Sequence, residues 1–146
     1  LSEWRRDLLD TARFLVGLRR AHPALRAAGF YTGLPSAEGG PPDLGWYTPE
    51  GSEFDHGRWH DASLRTFQMA RTTGDGDAVL LVVNGALNPV DVRLAAARHP
   101  WELVWDSVWD HPDEARDFAI NGTLHPAPDE TVTLEPLSLR VYTPRS

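Results

Sequence analysis

Three kinds of residue in this 146-residue chain have types and spacings that could do chemistry: a pair of histidines, a run of carboxylates and a set of tryptophans. His56 and His60 stand four apart in Asp55-His56-Gly57-Arg58-Trp59-His60, which on a helix would bring two imidazoles to one face for a zinc ion. Gly57 interrupts that segment, so a loop without metal is expected there. Asp106, Asp110, Asp113 and Glu114 are numerous enough for acid–base work on a sugar bond, which needs one carboxyl kept neutral and one ionised across the scissile linkage. They flank prolines and turn residues rather than apolar pockets and read as solvated surface charges. No Ser-His-Asp or phosphate-loop pattern occurs, and Gly74-Asp75-Gly76 reads as a turn. No catalytic residue and no metal ligand is therefore assigned.

The tryptophans are the more informative set. Trp46, Trp59, Trp101, Trp105 and Trp109 all lie in the β-rich part of the chain. A flat aromatic face can stack on the apolar face of a sugar ring, but the same area stabilises a core or an interface, and packing is the expectation for most of them. Trp101, Trp105 and Trp109 recur every four residues and would share one face of a strand long enough to hold them. Trp59 and Trp109 are the candidates for sugar contact, with Trp109 first because it precedes the Asp110 to Glu114 turn.

The elements that must position these groups are short. Ala78 to Val83 has no polar side chain, so as a strand it needs cover on both faces and belongs at the centre of a sheet. Asn84-Gly85 offers the positive-φ residues of a tight turn, and Val90 to Leu94 alternates as a half-exposed antiparallel neighbour would. Further strands are expected at Leu44 to Tyr47, Leu64 to Ala70, Glu102 to Trp105, Thr131 to Leu134 and Leu137 to Thr143, separated by turns at Pro49-Glu50-Gly51, Gly74-Asp75-Gly76 and Asn121-Gly122. In the last strand, Leu137, Leu139 and Val141 are expected on a buried face and Ser138, Arg140 and Tyr142 on the other. Before them, Ser2 to about Ala21 reads as an amphipathic helix with Trp4, Leu8, Ala12, Leu15 and Leu18 in its apolar stripe, flanked by Leu9, Phe14 and Val16. Ser2 is its N-cap, and Pro23 stops it by removing an amide hydrogen. Thr32 to Asp43, with three prolines and three glycines, is a loop. The fold class is thus mainly β, an antiparallel two-sheet β-sandwich preceded by one long amphipathic helix.

A net charge of −7 and the absence of basic runs argue against nucleic-acid and acidic-lipid partners. The absence of cysteine excludes disulfides and thiolate metal sites and is compatible with a cytoplasmic protein. No stretch has the length and apolarity of a membrane helix, so no membrane partner is expected. The chain opens with Leu1 rather than Met, which fits a piece of a longer polypeptide.

Leu8-Leu9-Asp10 and the run Leu15-Val16-Gly17-Leu18-Arg19-Arg20-Ala21-His22-Pro23-Ala24-Leu25-Arg26 resemble the last barrel helix of bacterial glycogen-debranching enzymes of the isoamylase type, within the α-amylase superfamily. Leu44-Gly45-Trp46-Tyr47-Thr48-Pro49-Glu50-Gly51-Ser52-Glu53, with Trp59 beyond it, is similar to the stretch after that helix, and Ala78 to Asn84 and Trp101 to Asp106 match more loosely. The resemblance implies residues 1–26 as the terminal helix of a (β/α)8 barrel and 27–146 as the family's C-terminal antiparallel β domain. None of the catalytic carboxylate motifs that the family carries on its barrel occurs here, so the chain alone should be inactive. The full-length parent would hydrolyse α-1,6 branch linkages in glycogen or limit dextrin with no organic cofactor. Its partners would be its own barrel and an α-glucan. A freestanding glucan-binding module, or the terminal domain of another superfamily enzyme such as an α-1,4-acting amylase, are the alternatives. Without its barrel, the helix would leave large side chains bare at roughly 1.5–3 kcal/mol of lost burial each. Trp4, Leu8, Leu15 and Leu18 are accordingly expected to pack on the barrel or to form a homodimer interface.

Overall fold

Seven short strands pair into two antiparallel sheets in the computed structural model of the protein, which describes residues 1–115, 124–126 and 130–145. The strands are β1 (Leu44–Tyr47), β2 (Thr66–Thr72), β3 (Ala78–Asn84), β4 (Val90–Arg93), β5 (Trp101–Asp106), β6 (Thr131–Leu134) and β7 (Ser138–Pro144). Five of them form one sheet in the order β1-β2-β3-β7-β5, and β4 pairs with β6 in the second. The all-apolar β3 is the middle strand, as its two-sided apolarity requires. Ahead of the sheets runs helix α1 (Glu3–Ala21), followed by a 3-10 turn at Pro23–Leu25. The Asn121-Gly122 turn expected from sequence lies outside the described residues.

Register assigns the faces of the large sheet. One row crosses it as Trp46, Met69, Leu81, Val141 and Trp105, and a second as Gln68, Val82, Arg140 and Asp106. Side chains alternate along each strand, so these rows lie on opposite faces. The second face is the sandwich interior, where Leu80, Val82, Leu103 and Tyr142 pack with Val92 and Leu134 of the small sheet. Each such side chain, fully withdrawn from water, contributes roughly 1.5–3 kcal/mol. The first face carries Val79, Leu81, Leu139 and Val141, against which Leu18, Ala24 and Leu25 are packed. The molecule is therefore layered as helix, five-stranded sheet, two-stranded sheet.

Several expectations are corrected here. Val90 to Leu94 is not the sheet neighbour of β3: β4 pairs with β6, because the chain leaves β3 through Asn84 to the opposite layer. Neither Asn84 nor Gly85 has a positive φ. Asn84 is buried, its amide donating to the carbonyls of Asn88 (3.0 Å) and Glu135 (3.0 Å) and its oxygen accepting from the Thr66 hydroxyl (3.0 Å). Gly85 is required by close approach instead, since a Cβ there would stand 2.9 Å from the Arg65 carbonyl oxygen. In β7 both faces are buried, and Leu137 is 67% exposed rather than part of a buried face.

The buried face of Ser138, Arg140 and Tyr142 depends on β5. A register shift between Leu103 and Trp105 inserts one residue, so that Leu103 opposes Tyr142, Trp105 opposes Val141 and Asp106 opposes Arg140. The bulge turns Trp105 toward the helix layer, away from the face that holds Trp101, and turns Asp106 inward. Asp106, expected on the surface, is 1% exposed and accepts from Arg140 Nε at 2.7 Å. Its second oxygen accepts the amide of Val108 at 3.1 Å. A charge withdrawn this far from water is tolerated only when paired and hydrogen-bonded, and both conditions are met.

α1 runs from Glu3 to Ala21 as its spacing predicts, but Ser2 caps it through backbone alone, with no side-chain hydrogen bond. At its exit, His22 Nδ1 and the Ala24 amide share the Asp77 carboxylate at 2.8 and 2.9 Å, fixing the helix to the β2–β3 turn. No α1 residue is fully buried. Phe14, Leu15 and Leu18 are partly covered, whereas Trp4 (63%), Leu8 (62%) and Val16 (51%) are exposed. The apolar arc is wider than the sheet it rests on. Among the described residues no helix is long and apolar enough to cross a membrane.

Candidate functional site

The free edge of the large sheet, on the helix-bearing face, holds a cleft with an aromatic wall. Its construction is local. β1 ends in Thr48-Pro49-Glu50-Gly51, where Pro49 presets φ, Gly51 takes φ +86° and its amide donates to the Thr48 carbonyl at 3.0 Å. That turn sends the chain back antiparallel, pairing Glu53 with Tyr47 and donating the Phe54 amide to the Trp46 carbonyl at 2.9 Å. Asp55 then caps a one-turn helix, α2 (His56–Trp59), accepting the Arg58 amide at 2.8 Å.

The result brings Trp59 over Trp46 with ring centroids 5.6 Å apart at 72°, and against Phe54 at 4.9 Å and 71°. Trp46 also meets Phe67 of β2 at 5.8 Å. Edge-to-face contacts of this kind fix the rings in place. Trp59 is still 56% exposed, and with Trp46, Phe54 and Glu53 it lines a cleft of about 430 Å3 whose far wall is the Gly33 to Pro42 loop. Glu53 is shared with an adjoining hollow of about 260 Å3 that adds Glu50, Asp55 and Arg58. Burial raises the Tyr47 phenol above its ordinary pKa, and the Glu53 charge beside it adds to the effect. The Arg58 guanidinium stands 3.9 Å from Glu50 and 3.7 Å from Asp61, loose surface pairs that leave it able to donate elsewhere. Glu50, Glu53 and Asp55 are all exposed, without the apolar enclosure a glycosidase acid requires. The cleft has no arrangement for cleaving a sugar bond.

Of the two tryptophans expected to meet sugar, the structure brings Trp59 to this cleft and places Trp109 in the sandwich core at 5% exposure, with no ring face open. The Asp110 to Glu114 turn beside Trp109 folds as a small 3-10 turn capped by His111 and Glu114. His56, at the start of α2, and His60, its C-cap, lie against each other with ring centroids 4.6 Å apart, where a loop was expected. No group of three potential metal ligands occurs among the described residues. Phe54 and Glu53 were not singled out from sequence, although the Pro49-Glu50-Gly51 turn is the signal that returns them to Trp46. A larger hollow, about 500 Å3, opens between the Gly51 turn and the Leu94–Trp101 segment, but its aromatic wall, Trp101, is only 6% exposed.

Comparison with known proteins gives a consistent picture. The chain is 30% identical over 117 residues to isoamylases from Pseudomonas amyloderamosa and Pseudomonas sp. (strain SMP1), and 30% identical over 108 residues to an isoamylase from Flavobacterium sp. The matches cover 77% of this chain for the first two and 67% for the third. The chain spans only 13–14% of the length of these curated relatives. No protein-family model matches it. Over most of its length the chain is thus similar to isoamylases, consistent with the C-terminal region of an isoamylase-type enzyme.

Proposed function

We propose that this chain is the closing accessory part of a glycogen-debranching glycoside hydrolase of the α-amylase superfamily, a cytoplasmic enzyme that hydrolyses α-1,6 linkages in glycogen or limit dextrin. The observation that carries this reading is the 30% identity to isoamylases over 77% of the chain. The segment itself is structural. It supplies a helix and a β domain to the catalytic barrel and contributes no carboxylate to the reaction. The exposed stripe of Trp4 and Leu8 on α1 supports that role, since side chains of this size stay in contact with water only at a cost. In the parent the stripe is the seat of the barrel. In the isolated segment, two copies bury it against each other.

The direct test is incubation of the full-length parent with glycogen and with linear amylose. Release of linear maltodextrin from glycogen alone supports debranching, and cleavage of amylose alone moves the parent to an α-1,4-acting enzyme. Release of sugar by the 146-residue chain would overturn its accessory role. For the stripe, sedimentation should show a dimer of the isolated segment that Leu8→Asp dissociates; a monomer at micromolar concentration speaks against self-association.

A further inference from the structure

We infer that the Trp59 cleft is a binding site for an α-linked glucan chain. The inference rests on the reading of the parent as a glucan-acting enzyme and adds a site on this chain's own residues. Four observations converge on it. First, an indole that is 56% exposed is braced from behind by two aromatic neighbours at 4.9 and 5.6 Å, so it is open to solvent and yet rigid. A rigid aromatic platform loses little entropy on binding and covers the apolar C–H face of a pyranose ring. Second, Glu53, Asp55 and Arg58 line the same cleft and its continuation. Carboxylates and a guanidinium are the groups that satisfy pairs of sugar hydroxyls with charge-assisted bonds.

Third, the rings exclude the main competitor. Aromatic cages for quaternary ammonium groups surround the cation with several ring faces, each within about 6 Å of it. Here the rings touch one another edge to face, leaving no space between them for a cation. Fourth, the cleft and the adjoining hollow, about 430 and 260 Å3, are both open to solvent and share Glu53 in their walls, which suits a chain of sugar units rather than one enclosed small molecule. Through the row Trp46, Met69, Leu81, Val141, the platform lies on the sheet face that also carries α1. A glucan held at Trp59 would thus run on the side where the helix presents its bare stripe.

The test is calorimetric and tryptophan-fluorescence titration of the 146-residue chain with maltoheptaose, with cellohexaose and choline as controls. Saturable binding of maltoheptaose is expected, weakened about tenfold or more by Trp59→Ala and largely kept by Trp59→Phe, which preserves a flat ring. Glu53→Gln should weaken binding severalfold and leave the urea midpoint unchanged, separating loss of a contact from loss of fold. Absence of saturable maltoheptaose binding, binding indifferent to Trp59→Ala, or binding of choline in its place would each overturn the inference. Debranching by the full-length parent is read separately. A parent that debranches while this chain ignores maltoheptaose refutes only the site, whereas a chain that binds while the parent cuts no branch refutes only the proposed function.

Discussion

The two faces of the five-stranded sheet are built from the same strands and finished to different degrees. On the sandwich face, polar groups are buried in matched sets. Gln68 donates to the carbonyls of Thr48 and Arg93 at 2.8 Å each and accepts the Ala95 amide at 2.9 Å, tying the large sheet to the end of β4. Asn84 performs the same service at the other end of the small sheet, and Arg140 meets Asp106 between them. On the helix face, apart from the Asp77 clasp on the helix exit, contact is apolar and partial: Ala24 is fully covered, while Trp4, Leu8 and Trp59 remain in water. Buried polar groups impose a unique partner because an orphan is costly, so the sandwich face is closed to alternatives. Apolar contact is permissive, and the helix face is left able to accept a barrel, a second copy or a sugar.

That contrast can be broken from the closed side first. Asp106→Ala strands the Arg140 guanidinium in the core and should cost about 3–5 kcal/mol in urea denaturation. A loss below about 1 kcal/mol would mean that Arg140 reaches water and the pair does not hold the face. Gln68→Leu is expected next, at about 1–3 kcal/mol, because two carbonyls and one amide lose their partner at a buried position. On the open side, Leu8→Asp should change the stability of the segment by less than about 0.5 kcal/mol when measured at dilutions where it is monomeric, as for other surface substitutions. A large loss would show that the exposed stripe is covered by this chain itself.

The smallest effect is one of pH. The Thr32 amide, followed by the Gly33 amide and the Thr32 hydroxyl, holds the Asp43 carboxyl below its ordinary value of 3.8. A depressed pKa in the folded state contributes stability that is present above the unfolded value and lost as pH falls through the folded one. The contribution of Asp43 to closing the 32–43 loop should therefore be fully present well above 3.8 and fade as pH falls below it. A lower protection factor of the Gly33 amide at those acidic pH values, with no such pH dependence in Asp43→Asn, is the signature; protection unchanged by acid would remove Asp43 as the clasp.

The central position of β3 was legible because six consecutive apolar residues demand cover on both faces, and α1 because its spacing and Pro23 leave little choice. The same was true of the turn after β1, whose proline and glycine preset its dihedrals. Of the cleft, Trp59 could be named but not its companions, since Phe54 and Glu53 join it only through the return that this turn dictates. Sequence alone thus determined the approximate strands and the long helix, the sandwich class and the isoamylase-type resemblance, all of which follow from local periodicity, turn chemistry and short matched runs; the one-turn helix α2 escaped it. Tertiary structure alone decided that β4 crosses to the second sheet, that a bulge in β5 buries Asp106 against Arg140, and that Trp109 is interior while Trp59 is open. Those outcomes depend on which distant residues meet. A charge, an amide or an indole is neutral about its burial until a partner from another strand satisfies it or leaves it to water.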